Sequence, residues 1–307
     1  MISTDGKVFG RMITAMVTPF DEHLKVDFKA VEAIVEHLIT TGSTSIVVAG
    51  TTGESPTLEE DEKEALLKAV IAVSNKRVKV IMGTGTNVTA KSIKATQKAE
   101  SLGADGALVV APYYNKPSQA GLFAHFSAIA QSSGLPLIVY NIPARTGINI
   151  SSETMISLSK SEKTIYALKD STGNVDQASD IASGAREDFL VYSGDDNLTL
   201  PFLSIGASGV ISVASHVIGS QIMAMQNAFF GGKLDAAREL HYQCMPMFKG
   251  LFIAPNPTCL KYVLAKMGLC KEHLRLPLVP LDSNQRETMD DLIKIYKLNL
   301  NQSLQLT

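Results

Sequence analysis

The sequence predicts an α/β protein, a (β/α)8 barrel with a C-terminal helical extension, and three observations carry that expectation. Short, fully apolar, β-rich runs alternate with longer amphipathic segments about eight times between roughly residues 11 and 230, the order of parallel β/α units. Hydrophobicity in the runs is continuous rather than alternating, so each strand is covered on both faces. At 307 residues the chain is long for one compact domain but ordinary for a single α/β barrel. A doubly wound open sheet is the weaker arrangement for the same pattern.

The strand runs, in order, are Met12 to Val17, Ile46 to Ala49, Val78 to Met82, Ala107 to Ala111, Leu137 to Tyr140, Ile165 to Leu168, Leu190 to Tyr192 and Val210 to Val213. Helical stretches between them cover Phe28 to Thr41, Glu59 to Asn75, Thr89 to Leu102, Gln119 to Ser133, Ser152 to Ser161, Val175 to Gly184 and Asn197 to Ile205. The second of these opens on Thr57-Leu58-Glu59-Glu60, which has capping-box spacing and places acidic residues where the helix dipole favours them. After about Gly232 the pattern turns to helices alone: Lys233 to Gly250, Thr258 to Met267 and Arg286 to Leu298, separated by Pro255-Asn256-Pro257 and Leu276-Pro277-Leu278-Val279-Pro280. The expected division is a barrel over residues 1–231 and a helical extension over 232–307 packed on it, with no flexible linker or low-complexity tract.

Hydrophobic residues make up 45% and charged residues 19% of the chain, ample for a large core and without the signature of disorder. A formal charge of −2 offers no basic field for nucleic acid or anionic lipid. The start, Met1-Ile2-Ser3-Thr4-Asp5-Gly6-Lys7, lacks the basic flank and apolar core of a signal peptide, and no apolar stretch approaches membrane-spanning length, so a cytoplasmic location is expected. Cys244, Cys259 and Cys270 are far apart among apolar neighbours and read as reduced, mostly buried thiols.

In a barrel the active site gathers where the strands end, and unusual polar residues follow the apolar runs there. Lys169 ends the sixth run, in Ile165-Tyr166-Ala167-Leu168-Lys169-Asp170-Ser171-Thr172-Gly173. An amine so placed suits imine chemistry, because desolvation disfavours the ammonium and exposes a nucleophilic lone pair; taken alone, a strand-end lysine more often snorkels into water. Gly50-Thr51-Thr52-Gly53-Glu54-Ser55 follows the second run, either as a tight turn or as a small anion pocket of adjacent hydroxyls and backbone N–H groups, suited to a keto acid carboxylate. Tyr113, Tyr114 and Tyr140 are packing residues or, near an amine and a threonine hydroxyl, proton carriers. Arg145, in a Pro- and Gly-flanked loop, is a solvated surface group or a bidentate carboxylate clamp.

Other signals are weak. Gly83-Thr84-Gly85-Thr86-Asn87-Val88 imitates the start of a dinucleotide fingerprint but has Val88 at the third glycine, which argues against a nucleotide site. The six histidines are scattered without ligand spacing, so no metal is implied. His125, in Phe123-Ala124-His125-Phe126, reads as helix packing.

Together Gly50-Thr51-Thr52-Gly53-Glu54-Ser55, Pro112-Tyr113-Tyr114-Asn115-Lys116-Pro117, Tyr140-Asn141-Ile142-Pro143-Ala144-Arg145-Thr146-Gly147, Leu168-Lys169-Asp170 and Gly209-Val210-Ile211-Ser212-Val213 resemble dihydrodipicolinate synthases, pyruvate-dependent members of the N-acetylneuraminate lyase superfamily. The resemblance extends from about Gly10 through Pro280, with the motifs in the family's order. It implies that Lys169 forms a Schiff base with pyruvate, with Tyr140 as the proton-transferring phenol beside it. It also implies that Thr52 links Tyr140 to Tyr114 in a hydroxyl relay, Tyr114 coming across a dimer interface. By the same resemblance Thr51 and Thr52 hold the pyruvate carboxylate, Arg145 holds that of aspartate 4-semialdehyde, and Gly194 and Ile211 line the site near the amine. The implied chemistry needs no metal or organic cofactor, serves diaminopimelate and lysine biosynthesis, and belongs to a homotetramer built as a dimer of dimers.

Two positions depart from lysine-inhibited members of the family, which carry a histidine and a glutamate where this chain has Lys63 and Lys91; two cations there should repel a cationic effector. The alternative function is a sister aldolase or lyase acting on a sugar acid, N-acetylneuraminate or a 2-keto-3-deoxy acid, through the same imine. Arg145 weighs against it. A non-catalytic pyruvate-binding barrel is the third possibility, and it leaves the set Lys169, Tyr140, Thr52 and Tyr114 without a purpose.

Overall fold

A computed structural model describes residues 8–298. Its core is a closed barrel of eight strands in sequential order, the TIM-barrel architecture expected from the alternation: β1 (Met12–Ala15), β2 (Ser45–Val48), β3 (Lys79–Gly83), β4 (Gly106–Val110), β5 (Leu137–Asn141), β6 (Ile165–Asp170), β7 (Leu190–Ser193) and β8 (Gly209–Ser212). The helices are α1 (Phe28–Thr40), α2 (Glu60–Ser74), α3 (Thr89–Ser101), α4 (Gln119–Ala130), α5 (Pro143–Thr146), α6 (Ser152–Ser161), α7 (Val175–Gly184), α8 (Thr199–Ser204), α9 (Ser215–Phe230), α10 (Leu234–Gly250), α11 (Thr258–Lys266) and α12 (Ser283–Ile295). The ends of the chain named in the sequence analysis, residues 1–7 and 299–307, lie outside the described residues.

Two helices have no counterpart among the expected elements. Helix α9 carries the non-helical residue Ile218 inside its span, and its apolar residues blur into the preceding strand run, which removes the boundary a periodicity reading needs. Helix α5 is four residues long, shorter than any periodicity can register. The start of α2 also differs. Its N-cap is Glu59, whose N–H donates to Glu62 at 3.0 Å, while Thr57 Oγ1 donates to the Glu54 carbonyl at 3.0 Å. The cap therefore sits two residues beyond the one expected at Thr57, because that hydroxyl is used in the preceding turn.

The contacts group the chain into two compact units. One comprises the described residues through Ile13 with Lys79–Ser212, the other Thr14–Val78 with Val213 onward. In the first, β3 through β8 pair in parallel, and Tyr140, Lys169 and Tyr192 lie opposite one another on β5, β6 and β7. The strand residues Ile138, Val139, Ala167, Leu168 and Tyr192 are completely buried, as continuous hydrophobicity requires. A Cβ on Gly85 would lie 2.3 Å from the Val110 nitrogen, so this glycine of the apparent dinucleotide fingerprint lets the chain run against β4. In the second unit, Thr14 Oγ1 bonds Ser43 at 2.6 Å and Ser215 at 2.8 Å, and buried His216 Nε2 accepts from the Val17 N–H at 3.2 Å. The three cysteines are free thiols, Cys244 and Cys259 buried and Cys270 half-buried. Among the described residues no helix is long and apolar enough to cross a membrane.

Candidate active site

Lys169 is the penultimate residue of β6 and only 5% exposed. The strand pair β5/β6 sets Tyr140 opposite it, and its Nζ stands 4.0 Å from the Tyr140 ring centroid. Burial on a strand rather than a loop is what holds amine and phenol together, since side chains at paired positions of a parallel sheet share a face. Gly194, just after β7, explains how the amine keeps room to react. A Cβ there would lie 2.0 Å from Ser171 Oγ and 3.1 Å from Lys169 Cε, so any larger residue would press on the lysine stem.

Two buried carboxyls, Asp170 and Asp195, interact with each other, Asp195 also with the Lys169 amine, and sequence reasoning gave neither a role. Asp170 Oδ1 accepts from the Thr172 N–H at 2.8 Å and its hydroxyl at 2.7 Å, yet burial pushes its pKa above the usual range, with Asp195 adding to the rise. Burial likewise raises Asp195, opposed by the Lys169 charge. The available signal was the Gly194-Asp195-Asp196 run, polar residues that follow directly on the seventh apolar run. Asp196 is tied down differently, accepting from Ser212 Oγ on β8. Ile211, on β8, is fully buried.

Among the other expected site residues of this unit, Arg145 lies on α5 and is exposed. The loop behind it is pinned by an amide network: Asn141 Nδ2 donates to Asn149 Oδ1 at 2.8 Å, and Asn149 Nδ2 to Gln177 Oε1 at 2.7 Å. Tyr114 is 89% exposed and sits at φ +73, a left-handed conformation uncommon for an aromatic residue; Tyr113 is 40% exposed. His125 on α4 is buried, packs edge-on to Phe126 with centroids 5.1 Å apart, and is pulled down to about 4 by burial. That is the packing role expected of it.

In the second unit, the Gly50 to Ser55 segment is a set of overlapping turns: the N–H groups of Gly53 and Ser55 both donate to the Gly50 carbonyl, at 3.1 and 3.3 Å, and that of Glu54 to Thr51 at 3.1 Å. Those donors are used internally, so an anion here would be met by the hydroxyls and N–H groups of Thr51 and Thr52. Thr51 is half-buried and Thr52 2% exposed. Gly53 is packed so that a Cβ would lie 3.1 Å from the Met16 carbonyl. Glu54, left-handed at φ +53, is buried in an ion pair with Lys261, whose ammonium is pulled down by burial and held up by Glu54. Sequence reasoning also missed Asn256, whose Nδ2 donates to Thr52 Oγ1 at 2.9 Å. Among the described residues no group of three or more His, Cys, Asp or Glu is arranged to hold a metal ion.

A buried strand-end lysine facing a phenol in an eight-stranded barrel defines a (β/α)8-barrel enzyme equipped for amine chemistry. Comparison with known proteins narrows this. The chain belongs to the dihydrodipicolinate synthetase family, whose model matches residues 8–296. It is 51% identical to 4-hydroxy-tetrahydrodipicolinate synthase 2 of Halalkalibacterium halodurans over 95% of this chain and 99% of that one. Among solved structures it resembles dihydrodipicolinate synthase from Bacillus anthracis (TM-score 0.91, 47% identity, covering 96% of this chain and 99% of that one). It also resembles the enzyme from Cyanidioschyzon merolae with lysine bound (TM-score 0.93, 43% identity, covering 94% and 99%).

Proposed function

We propose that this protein is a lyase that condenses pyruvate with L-aspartate 4-semialdehyde to 4-hydroxy-tetrahydrodipicolinate, the step that feeds diaminopimelate and lysine biosynthesis. The observation that carries the reading is the buried Lys169 amine 4.0 Å from the Tyr140 ring, and family membership supports the substrate pair. The unprotonated amine adds to the pyruvate carbonyl and water leaves, giving an iminium that acts as the electron sink. Loss of a methyl proton gives the enamine, which attacks the aldehyde carbon of the second substrate. That substrate's own amine then adds to the imine carbon and expels Lys169. No metal or organic cofactor takes part in this scheme.

Each step moves a proton, and Tyr140, Thr52 and Tyr114 are the groups assigned to carry it. Thr51 and Thr52 hold the pyruvate carboxylate, Arg145 the carboxylate of the semialdehyde, and Gly194 and Ile211 shape the space beside the amine. The 89% exposure of Tyr114 suits a residue that works in a neighbouring subunit's site, within a cytoplasmic homotetramer assembled as a dimer of dimers; residues 1–231 form its catalytic barrel and 232–307 its helical extension.

The test is to supply both substrates and follow the cyclised product, with Tyr114→Phe alongside the unaltered protein. Ring formation, lost in the variant, supports the reading. Pyruvate consumption without ring formation would point to a sister aldolase, and full turnover in the variant would remove Tyr114 from the relay.

A further inference from the structure

We infer that Asn256 is a positioning residue that keeps the Thr52 hydroxyl proton turned into the relay. The inference rests on the reading that Thr52 is part of a proton relay. A threonine hydroxyl donates and accepts, so on its own it has no preferred polarity. A carboxamide NH2 only donates. Asn256 Nδ2 donates to Thr52 Oγ1 at 2.9 Å, and Thr52 and Asn256 are 2% and 8% exposed, so water does not compete for the contact. With one lone pair of Oγ1 occupied, the hydroxyl proton is turned away from Asn256 and toward whatever the relay presents. A chain of hydroxyls carries a proton only when each oxygen accepts on one side and donates on the other, and the amide donor leaves Thr52 one lone pair and its proton for those two contacts.

The surroundings hold this hydrogen bond at both ends. Two residues after Thr52, Glu54 accepts from Lys261 Nζ and from the Arg275 N–H at 3.0 Å. Lys261, five residues after Asn256, also donates to the His273 carbonyl at 2.8 Å. Lys261 is completely buried and Glu54 is 3% exposed, and both Lys261 and Arg275 stack on the Phe20 ring, at 4.0 and 4.4 Å from its centroid. The Pro255-Asn256-Pro257 break, which in the sequence only separates two helices, is thus the point at which the C-terminal helical region touches the threonine motif.

Asn256→Ala and Asn256→Asp separate this role from simple packing. Removing the amide leaves the hydroxyl unoriented, and Asn256→Ala should lower kcat about 10-fold with KM for pyruvate unchanged. An ionised aspartate accepts only, captures the Thr52 proton and reverses the bond; Asn256→Asp should lower kcat about 100-fold, in the range of a lost general acid–base group. Its kcat should partly recover as pH falls, because the protonated aspartic acid donates again, giving a pH profile absent from the unaltered enzyme. Borohydride trapping of pyruvate on Lys169 should persist in both variants, and their melting temperatures show whether they fold. Asn256→Ala with unchanged kcat would overturn the inference, as would an active Asn256→Asp, which would mean that Asn256 accepts from Thr52. Equal losses in the two variants without the new pH dependence would reduce Asn256 to packing. Thr52→Val with undiminished turnover would instead sink the relay reading itself, and this inference with it.

Discussion

Replacing Lys261 by methionine keeps the aliphatic stem while deleting the charge, and its cost follows from where the ammonium sits. The Lys261 and Glu54 side chains are 0% and 1% exposed, so the carboxylate left behind would have no water to turn to. It would retain one donor, the Arg275 N–H at 3.0 Å. Removing one member of a buried pair costs about 3–5 kcal/mol, because the remaining charge stays desolvated. The lost bond from Lys261 to the His273 carbonyl and the lost stacking on Phe20 fall within that figure, since contributions of touching groups do not add. We therefore expect Lys261→Met to destabilise by about 4 kcal/mol. Glu54→Gln combined with Lys261→Met should cost only about 1–2 kcal/mol, because the buried charge is gone and the amide oxygen still accepts from Arg275. Urea unfolding at fixed protein concentration measures both, the midpoint falling at unchanged slope. A single-variant cost below about 1 kcal/mol, or a double variant less stable than Lys261→Met alone, would refute the argument that charge desolvation governs this contact.

Gly194→Ala should cut turnover at least about 10-fold and slow pyruvate capture, since a methyl group would sit 3.1 Å from Lys169 Cε and misplace the amine; stopped-flow or trapping kinetics read the effect. His216 is held down to about 4 by burial, against an ordinary value of 6.5. The unfolded chain takes up that proton first as pH falls, so stability is present above about 6.5 and drains away toward 4. His216→Gln, which can bond the Val17 N–H and the Val213 carbonyl without titrating, should lose about 2 kcal/mol less than the unaltered protein between pH 7 and pH 5; identical urea midpoint shifts would contradict this. L-Lysine should inhibit weakly or not at all, the outcome implied by Lys63 and Lys91 standing where the resemblance sets a histidine and a glutamate in lysine-inhibited members. Titration calorimetry showing tight lysine binding would overturn that expectation.

The barrel was legible in the sequence because strands buried on both faces leave a record of eight predominantly apolar runs alternating with amphipathic segments. That Lys169 and Tyr140 face each other has a related basis: each ends an apolar run with a polar group, at the strand ends where a barrel's chemistry gathers. What escaped is what depends on contacts distant in sequence. Asn256 meets Thr52 across 204 positions and Lys261 meets Glu54 across 207, and neither pairing leaves a periodic trace. The resemblance set Gly194 beside the amine, but the close contacts with Ser171 and Lys169 that require a glycine there leave no trace in the sequence. Helix α9 was missed because an apolar strand runs almost directly into an apolar helix, and the α2 cap was displaced because Thr57 spends its hydroxyl on the turn before it.

The central claim is that Lys169 is the amine that captures pyruvate. Incubation with pyruvate, reduction with borohydride and peptide mapping by mass spectrometry tests it most directly. A pyruvate-derived adduct on the peptide containing Lys169, absent in Lys169→Ala, is the predicted result. No adduct, or one that maps to another lysine, would contradict the account.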